Sequence, residues 1–132
     1  MVEEKVEKIG VAIIRSTRNS TFVHITDITG SETIARYTSG QMTDKDREGG
    51  APYPAMLAAK KAAEEALDKG ITALNVKLVG EGGVKKIPPS QAAIVALQTL
   101  AKSGLKILSI EDATPIPHGY IRPKGGRRGR RV

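Results

Sequence analysis

The sequence predicts an α/β protein: a mixed five-stranded sheet in the chain order β-β-β-α-β-α-β, with two helices packed on it and a disordered basic carboxyl tail. Three observations predict it. Two runs rich in β-branched residues are joined by a four-residue polar link, two segments of good helix formers are each followed by an apolar-rich strand, and the last twenty residues carry cations without any acid.

Residues 9–16 (Ile9-Gly10-Val11-Ala12-Ile13-Ile14-Arg15-Ser16) and 21–28 (Thr21 to Ile28) read as strands because β-branched side chains fit a pleated surface. Thr17-Arg18-Asn19-Ser20 between them has hairpin length, and Thr29-Gly30-Ser31 turns the chain into a third strand, Glu32 to Thr38. Such short links imply antiparallel neighbours. Residues 39–54, with the charged run Thr43 to Glu48 and then Gly49-Gly50-Ala51-Pro52-Tyr53-Pro54, read as a long surface loop. Ala55 to Lys69 is a helix with Met56, Ala59, Ala63, Ala66 and Leu67 on one face and Lys60, Lys61, Glu64, Glu65 and Asp68 on the other. Pro54 suits its first turn and Gly70 the position past its end.

Ile71 to Val79 alternates as a strand. The glycine-rich basic loop Gly80 to Lys86 follows, then Pro88-Pro89 and a second helix, Ser90 to Ser103, stopped by Gly104. Leu105 to Asp112 is the last strand, because Thr114-Pro115-Ile116-Pro117 forbids both helix and ladder. A charged extension (1–8), a globular body (9–114) and a basic tail (115–132) are therefore expected within one domain's length of 132 residues.

The net charge of +7 is unevenly spread. Residues 1–112 hold 15 Lys/Arg against 14 Asp/Glu, whereas 113–132 hold six basic residues and no acid. A cation run of this kind gains most by lying along phosphates and releasing their counterions. With no cysteine and two histidines, disulfides and thiolate metal sites are excluded and zinc is not expected, and a reducing cytoplasm fits. The charged start and the lack of a long apolar run point to neither a leader nor a membrane span.

Four regions are candidates for touching RNA. The tail carries His118, Arg122, Lys124, Arg127, Arg128, Arg130 and Arg131 among glycines, lacks the apolar residues to build a core, and extended from Pro115 reaches on the order of 60 Å. Its arginines outnumber lysine five to one, which favours bidentate phosphate and stacking contacts. Gly82, Gly83, Lys85 and Lys86 precede a helix start, where exposed amides attract anions, although no Walker pattern follows. Arg18 and Asn19 form a hairpin tip that either enters an RNA junction or is an ordinary exposed turn. In the long loop, Lys45 and Arg47 accompany Tyr53, which either stacks on an unpaired base or packs beneath the loop. His24 reads as a satisfied structural histidine. Asp27, Glu32, Glu111 and Asp112 lie near strand ends, so a metal-dependent nuclease is the rival from another class, to be decided by whether they converge. No cofactor, metal or small-molecule substrate is expected.

Thr21–Gly30, Ser39-Gly40-Gln41-Met42, Pro52–Ala59, Gly70–Lys77, and above all Ile110-Glu111-Asp112-Ala113-Thr114-Pro115-Ile116-Pro117 followed by Gly125-Gly126-Arg127-Arg128-Gly129-Arg130-Arg131-Val132, resemble the family of the eleventh small-subunit ribosomal protein. The ending is similar to its archaeal and eukaryotic branch, and the brevity to archaeal members. The resemblance covers about Gly10 to Val132. It implies a ribonuclease-H-like fold without that fold's catalysis, a place on the platform of the small subunit near the exit-site messenger RNA path, and small-subunit ribosomal RNA and platform proteins as partners. The family's RNA-facing parts fall on Arg18-Asn19-Ser20, Gly40–Arg47, Gly82–Lys86 and His118–Arg131. Pro88-Pro89-Ser90 and Val95 depart from the family's Gly-Pro-Gly turn and helical arginine.

Overall fold

A computed structural model of the chain describes residues 8–43, 49–81 and 91–116. Its elements are β1 (Ile9–Ser16), β2 (Thr21–Asp27), β3 (Thr33–Thr38), a single 3-10 turn (Ser39–Gln41), α1 (Pro52–Asp68), β4 (Ala73–Val79), α2 (Gln91–Lys102) and β5 (Lys106–Asp112). The five strands form one sheet in the order β3-β2-β1-β4-β5. β2 is antiparallel to β1 and β3, while β4 and β5 run parallel to β1 and to each other. This is the mixed five-stranded sheet with two helices expected from the element order.

Alternation decides which face is covered. Ala12, Ile14 and Ser16 on β1, Val23 and Ile25 on β2, and Leu74 and Val76 on β4 are buried on one face, with Ala12 in register with Ile25 and Val76, Ile14 with Val23, and Ser16 with the buried Thr21. Both helices pack on that face and against each other. α1 offers a stripe of alanines, Ala55, Ala58, Ala59, Ala62, Ala63 and Ala66, all fully buried, and α2 offers Ala92, Ala93, Ala96 and Leu100. Small side chains at this spacing let the helix axes approach closely and leave the volume to Ile14, Ile25, Ile71, Leu74 and Leu100.

Several boundaries differ from the sequence expectation, each for a local reason. α1 starts at Pro52 rather than Ala55, because Pro52 and Pro54 both sit in the first turn, where the missing amide has no carbonyl to meet. The long loop is accordingly shorter and contains the 3-10 turn. The buried stripe of α1 is the alanine row; Met56 is half-buried and Leu67 exposed, contrary to the face assigned to them. Ile28 and Glu32 belong to the β2–β3 turn. Ile71 is a buried plug instead of a strand residue, because its amide bonds back to the Ala66 carbonyl at 2.9 Å to close α1 through Gly70, whose φ of +94° disfavours a side chain.

The β3 edge is tied to α1. The Tyr37 hydroxyl donates to Glu65 Oε2 at 2.5 Å, and Lys69 Nζ donates to Glu65 Oε1 at 3.1 Å and to the Ile34 carbonyl at 2.7 Å. The Tyr37 hydroxyl, then Lys69, hold the Glu65 carboxyl below its ordinary range, and the same bond to Glu65 raises the Tyr37 phenol. Lys69 thereby occupies an outward carbonyl of an edge strand.

Candidate nucleic-acid interface

The topology sorts the connections by end. The carboxyl ends of β1, β3, β4 and β5 point one way, so that end of the sheet receives the β1–β2 tip (17–20), the β3–α1 connection (39–51), the β4–α2 connection (80–90) and the exit of the chain after β5. All four candidate regions are therefore attached to one end. Their nearness follows from strand order and direction, which no local pattern in the chain encodes.

Arg18 and Asn19 project from the hairpin tip, both exposed. The turn is held from within: the Thr17 amide donates to the Ser20 carbonyl at 2.8 Å, and Thr17 Oγ1 accepts the Asn19 and Ser20 amides at 3.3 and 3.1 Å. It is also held from outside by Glu81, whose Oε1 accepts the Arg18 amide at 2.7 Å and lies 3.7 Å from Arg18 Nε. The Arg18 side chain is still 81% exposed, so this pairing orients it without consuming it.

Ser39 welds the tip to the 3-10 turn. It is fully buried, donates to the Gly49 carbonyl, and accepts the Thr21 amide at 2.9 Å. A hydroxyl has one proton, so the 3.3 Å contact with Ser20 Oγ must be donated by Ser20. Ser20, counted among the RNA-facing candidates, thus turns its hydroxyl inward and serves to position Arg18 and Asn19. Gly50 completes the joint: a Cβ there would stand 2.1 Å from the Arg18 carbonyl oxygen, so only glycine lets the α1 approach lie against the tip.

Gly40 is exposed on the 3-10 turn, and Tyr53 is 65% exposed on the first turn of α1. Among the described residues nothing covers most of the Tyr53 ring, which the helix start holds towards solvent. Two first-turn positions of α1 are prolines, so this helix end offers few amides to a phosphate, and the exposed Tyr53 ring is what it presents to solvent. At the exit of β5, Thr114 is buried, its Oγ1 accepting the Gly80 amide at 3.0 Å and its own amide donating to Asp112 Oδ1 at 3.0 Å. The departure points of the β4–α2 connection and of the carboxyl tail are thereby clamped together. Lys45, Arg47, Gly82, Gly83, Lys85, Lys86, His118, Arg122, Lys124, Arg127, Arg128, Arg130 and Arg131 lie outside the described residues, as do Pro88-Pro89-Ser90.

The carboxylates of the rival reading do not converge. Asp27 is in register, through Gly10 and Leu74, with Ile107, whereas Asp112 lies opposite Leu78. That places Asp27 three strands and four ladder steps from Asp112, about 14 Å across and about 13 Å along the sheet. Asp27 is instead engaged in its own turn. Partial desolvation pushes its carboxyl up, but hydrogen bonds from Thr29, Glu32 and Ser31 together outweigh this and hold it below the ordinary range. Among the described residues no group of three His, Asp or Glu side chains could hold a metal ion. His24 Nε2 lies 2.9 Å from Thr33 Oγ1 on the sheet, a cross-strand hydrogen bond.

Sequence reasoning missed Ser39, Gly50, Glu81 and Thr114. Only the last two left a trace: an acid inside an otherwise basic loop, and an Asp-x-Thr pattern of the kind that closes on its own backbone. In the comparison with known proteins, the family model described as Ribosomal protein S11 matches residues 10–128.

Proposed function

This chain belongs to the ribosomal protein S11 family, and we propose that it works at the platform of the small ribosomal subunit, beside the exit-site path of messenger RNA, in the cytoplasm. Its role is that of a structural constituent of the small subunit, bound to ribosomal RNA and neighbouring ribosomal proteins. On this reading residues 9–114 dock on folded RNA, and residues 115–132 thread between RNA segments.

The observation that carries the reading is the gathering of the four candidate regions at one end of the sheet. The exposed Arg18 and Asn19 and the Tyr53 ring are held there on a rigid joint, and the cationic segments leave from the same place. Rigid loops can select where the body lands by shape, while the tail supplies sequence-independent attraction. Neutralising crowded phosphates at a junction lets helices approach that would otherwise repel, which is a structural service and needs no catalytic group.

The test is removal of residues 118–132 from the full chain, with affinity for small-subunit ribosomal RNA measured against salt. Loss of six phosphate contacts should reduce the log–log salt slope by about 4. An unchanged slope would remove the tail from the interface, and an unchanged footprint of the shortened chain would assign placement to the body.

A further inference from the structure

The helices cover one face of the sheet, and the other face carries a pattern that the proposed end-on interface does not use. Register lays it out as rows. Nearest the hairpin tip, Thr38, Phe22, Arg15 and Val79 stand side by side across β3, β2, β1 and β4. In the next row stand Arg36, His24, Ile13 and Lys77, with Glu111 beyond them on β5.

Phe22 is the chain's one phenylalanine, and it is 40% exposed here rather than in the core. Arg15, Arg36 and Lys77 are exposed, and among the described residues none makes a hydrogen bond or ion pair through its side chain. Glu111, in register beside Lys77, is the one carboxylate in these rows. The outer surface of α1 differs: Lys60, Lys61 and Lys69 are matched there by Glu64, Glu65 and Asp68. Among the described residues, these rows thus set three cations against one carboxylate around an exposed aromatic ring, whereas the outer surface of α1 is balanced.

We propose that this uncovered sheet face is a second RNA-contact surface, on which one unpaired base stacks on Phe22 while Arg15, Arg36 and Lys77 hold the adjoining phosphates. The proposal rests on the RNA-binding reading above and adds a site to it. A strand spacing of about 4.8 Å puts Arg15 next to Phe22 and sets Arg36 and Lys77 about 14 Å apart, a span that brackets a short single-stranded segment. Sheet faces with exposed aromatics bind single strands in this way, each ring taking one base. A protein partner is the poorer fit, because the centre of a protein interface is depleted of charge, and here every row is interrupted by an unpaired cation.

The experiment uses the full chain and a ten-nucleotide oligouridylate carrying 2-aminopurine at its centre, whose fluorescence falls when the base stacks. Wild-type protein should quench it. Phe22→Ala and Phe22→Leu should abolish the quenching and weaken binding about five- to thirtyfold, and Phe22→Tyr should restore both. Arg36→Gln with Lys77→Gln should make the salt slope shallower by about 1.4. Phe22 lies on the surface, so the leucine variant should melt with the wild type and separate stacking from folding.

Quenching that survives Phe22→Leu overturns the proposal, and if removal of 118–132 still reduces the slope, the end-on reading stands without it. If neither change affects binding, both readings fall. Variants that bind the probe normally but fail to enter reconstituted small subunits would make this face a protein contact and overturn the RNA assignment.

Discussion

The two ends of the sheet are built on opposite plans. At the end that holds the β2–β3 turn, connections are short and mostly bonded locally: Asp27 ties Thr29 and Ser31 at 3.0 Å each and Ile71 bonds back to Ala66, while the Thr72 amide reaches the Lys8 carbonyl ahead of β1 at 2.9 Å. At the other end the four-residue hairpin tip is held from within by Thr17, and the described parts of the longer connections are joined to it and to one another. Glu81 reaches the hairpin tip, Ser39 bridges Thr21 and Gly49, and Thr114 holds Gly80. A turn that satisfies its own polar groups needs no neighbour and offers none to a ligand. Loops braced by each other can expose Arg18, Asn19 and Tyr53 and still be rigid.

The largest break of this contrast should come from Gly50→Ala. The new methyl group meets backbone, the Arg18 carbonyl, and neither the tip nor the approach to α1 can retreat without undoing the Ser39 joint. Denaturant unfolding should show a loss of about 3 kcal/mol, and RNA affinity should fall with it. Ser39→Ala should come next, at about 2 kcal/mol, because it strands the buried Thr21 amide and the Gly49 carbonyl. Its RNA footprint should loosen at the tip while tail-dependent salt sensitivity is kept.

Asp27→Asn at the opposite end should have the smallest effect and sharpen the contrast. It should leave RNA affinity unchanged and remove an acid-side component of stability. The carboxyl of Asp27 is lowered in the folded state, so its contribution is present above the ordinary value of 3.8 and is lost as pH falls through the folded-state value. A pH series of melting temperatures should therefore separate wild type and variant above about pH 4 and bring them together in stronger acid. A change in RNA affinity on Asp27→Asn would mean that the closed end also touches RNA.

Element type was legible along most of the chain because periodicity is local. Alternation marked the strands, and proline and glycine marked the stops. The misplaced details have local physics too. The structure starts α1 three residues before Ala55, because the first turn takes in Pro52 as well as Pro54 and neither position needs its amide. On its predicted face Ala59, Ala63 and Ala66 are buried, but Met56 and Leu67 at its edges are not fully covered, because the close approach of the sheet is made through the alanine stripe. The candidate site was legible as charge and loop length at Arg18, Tyr53 and the basic segments. Its bracing was not, since Ser39, Gly50 and Glu81 acquire roles only from residues far away in the chain.

By itself, the sequence determined the strand and helix order, the near-neutral body and its cationic tail, and the family resemblance carried by Ile110–Pro117 and Gly125–Val132. These depend on spacing and composition, which the chain carries wherever it goes. Only the tertiary structure decided that the candidate loops share one end of the sheet, that Ser20 faces inward while Tyr53 faces out, and that Phe22 stands among Arg15, Arg36 and Lys77. Those are consequences of strand order and register. A pairing shifted by one residue would have turned the same side chains to the other face.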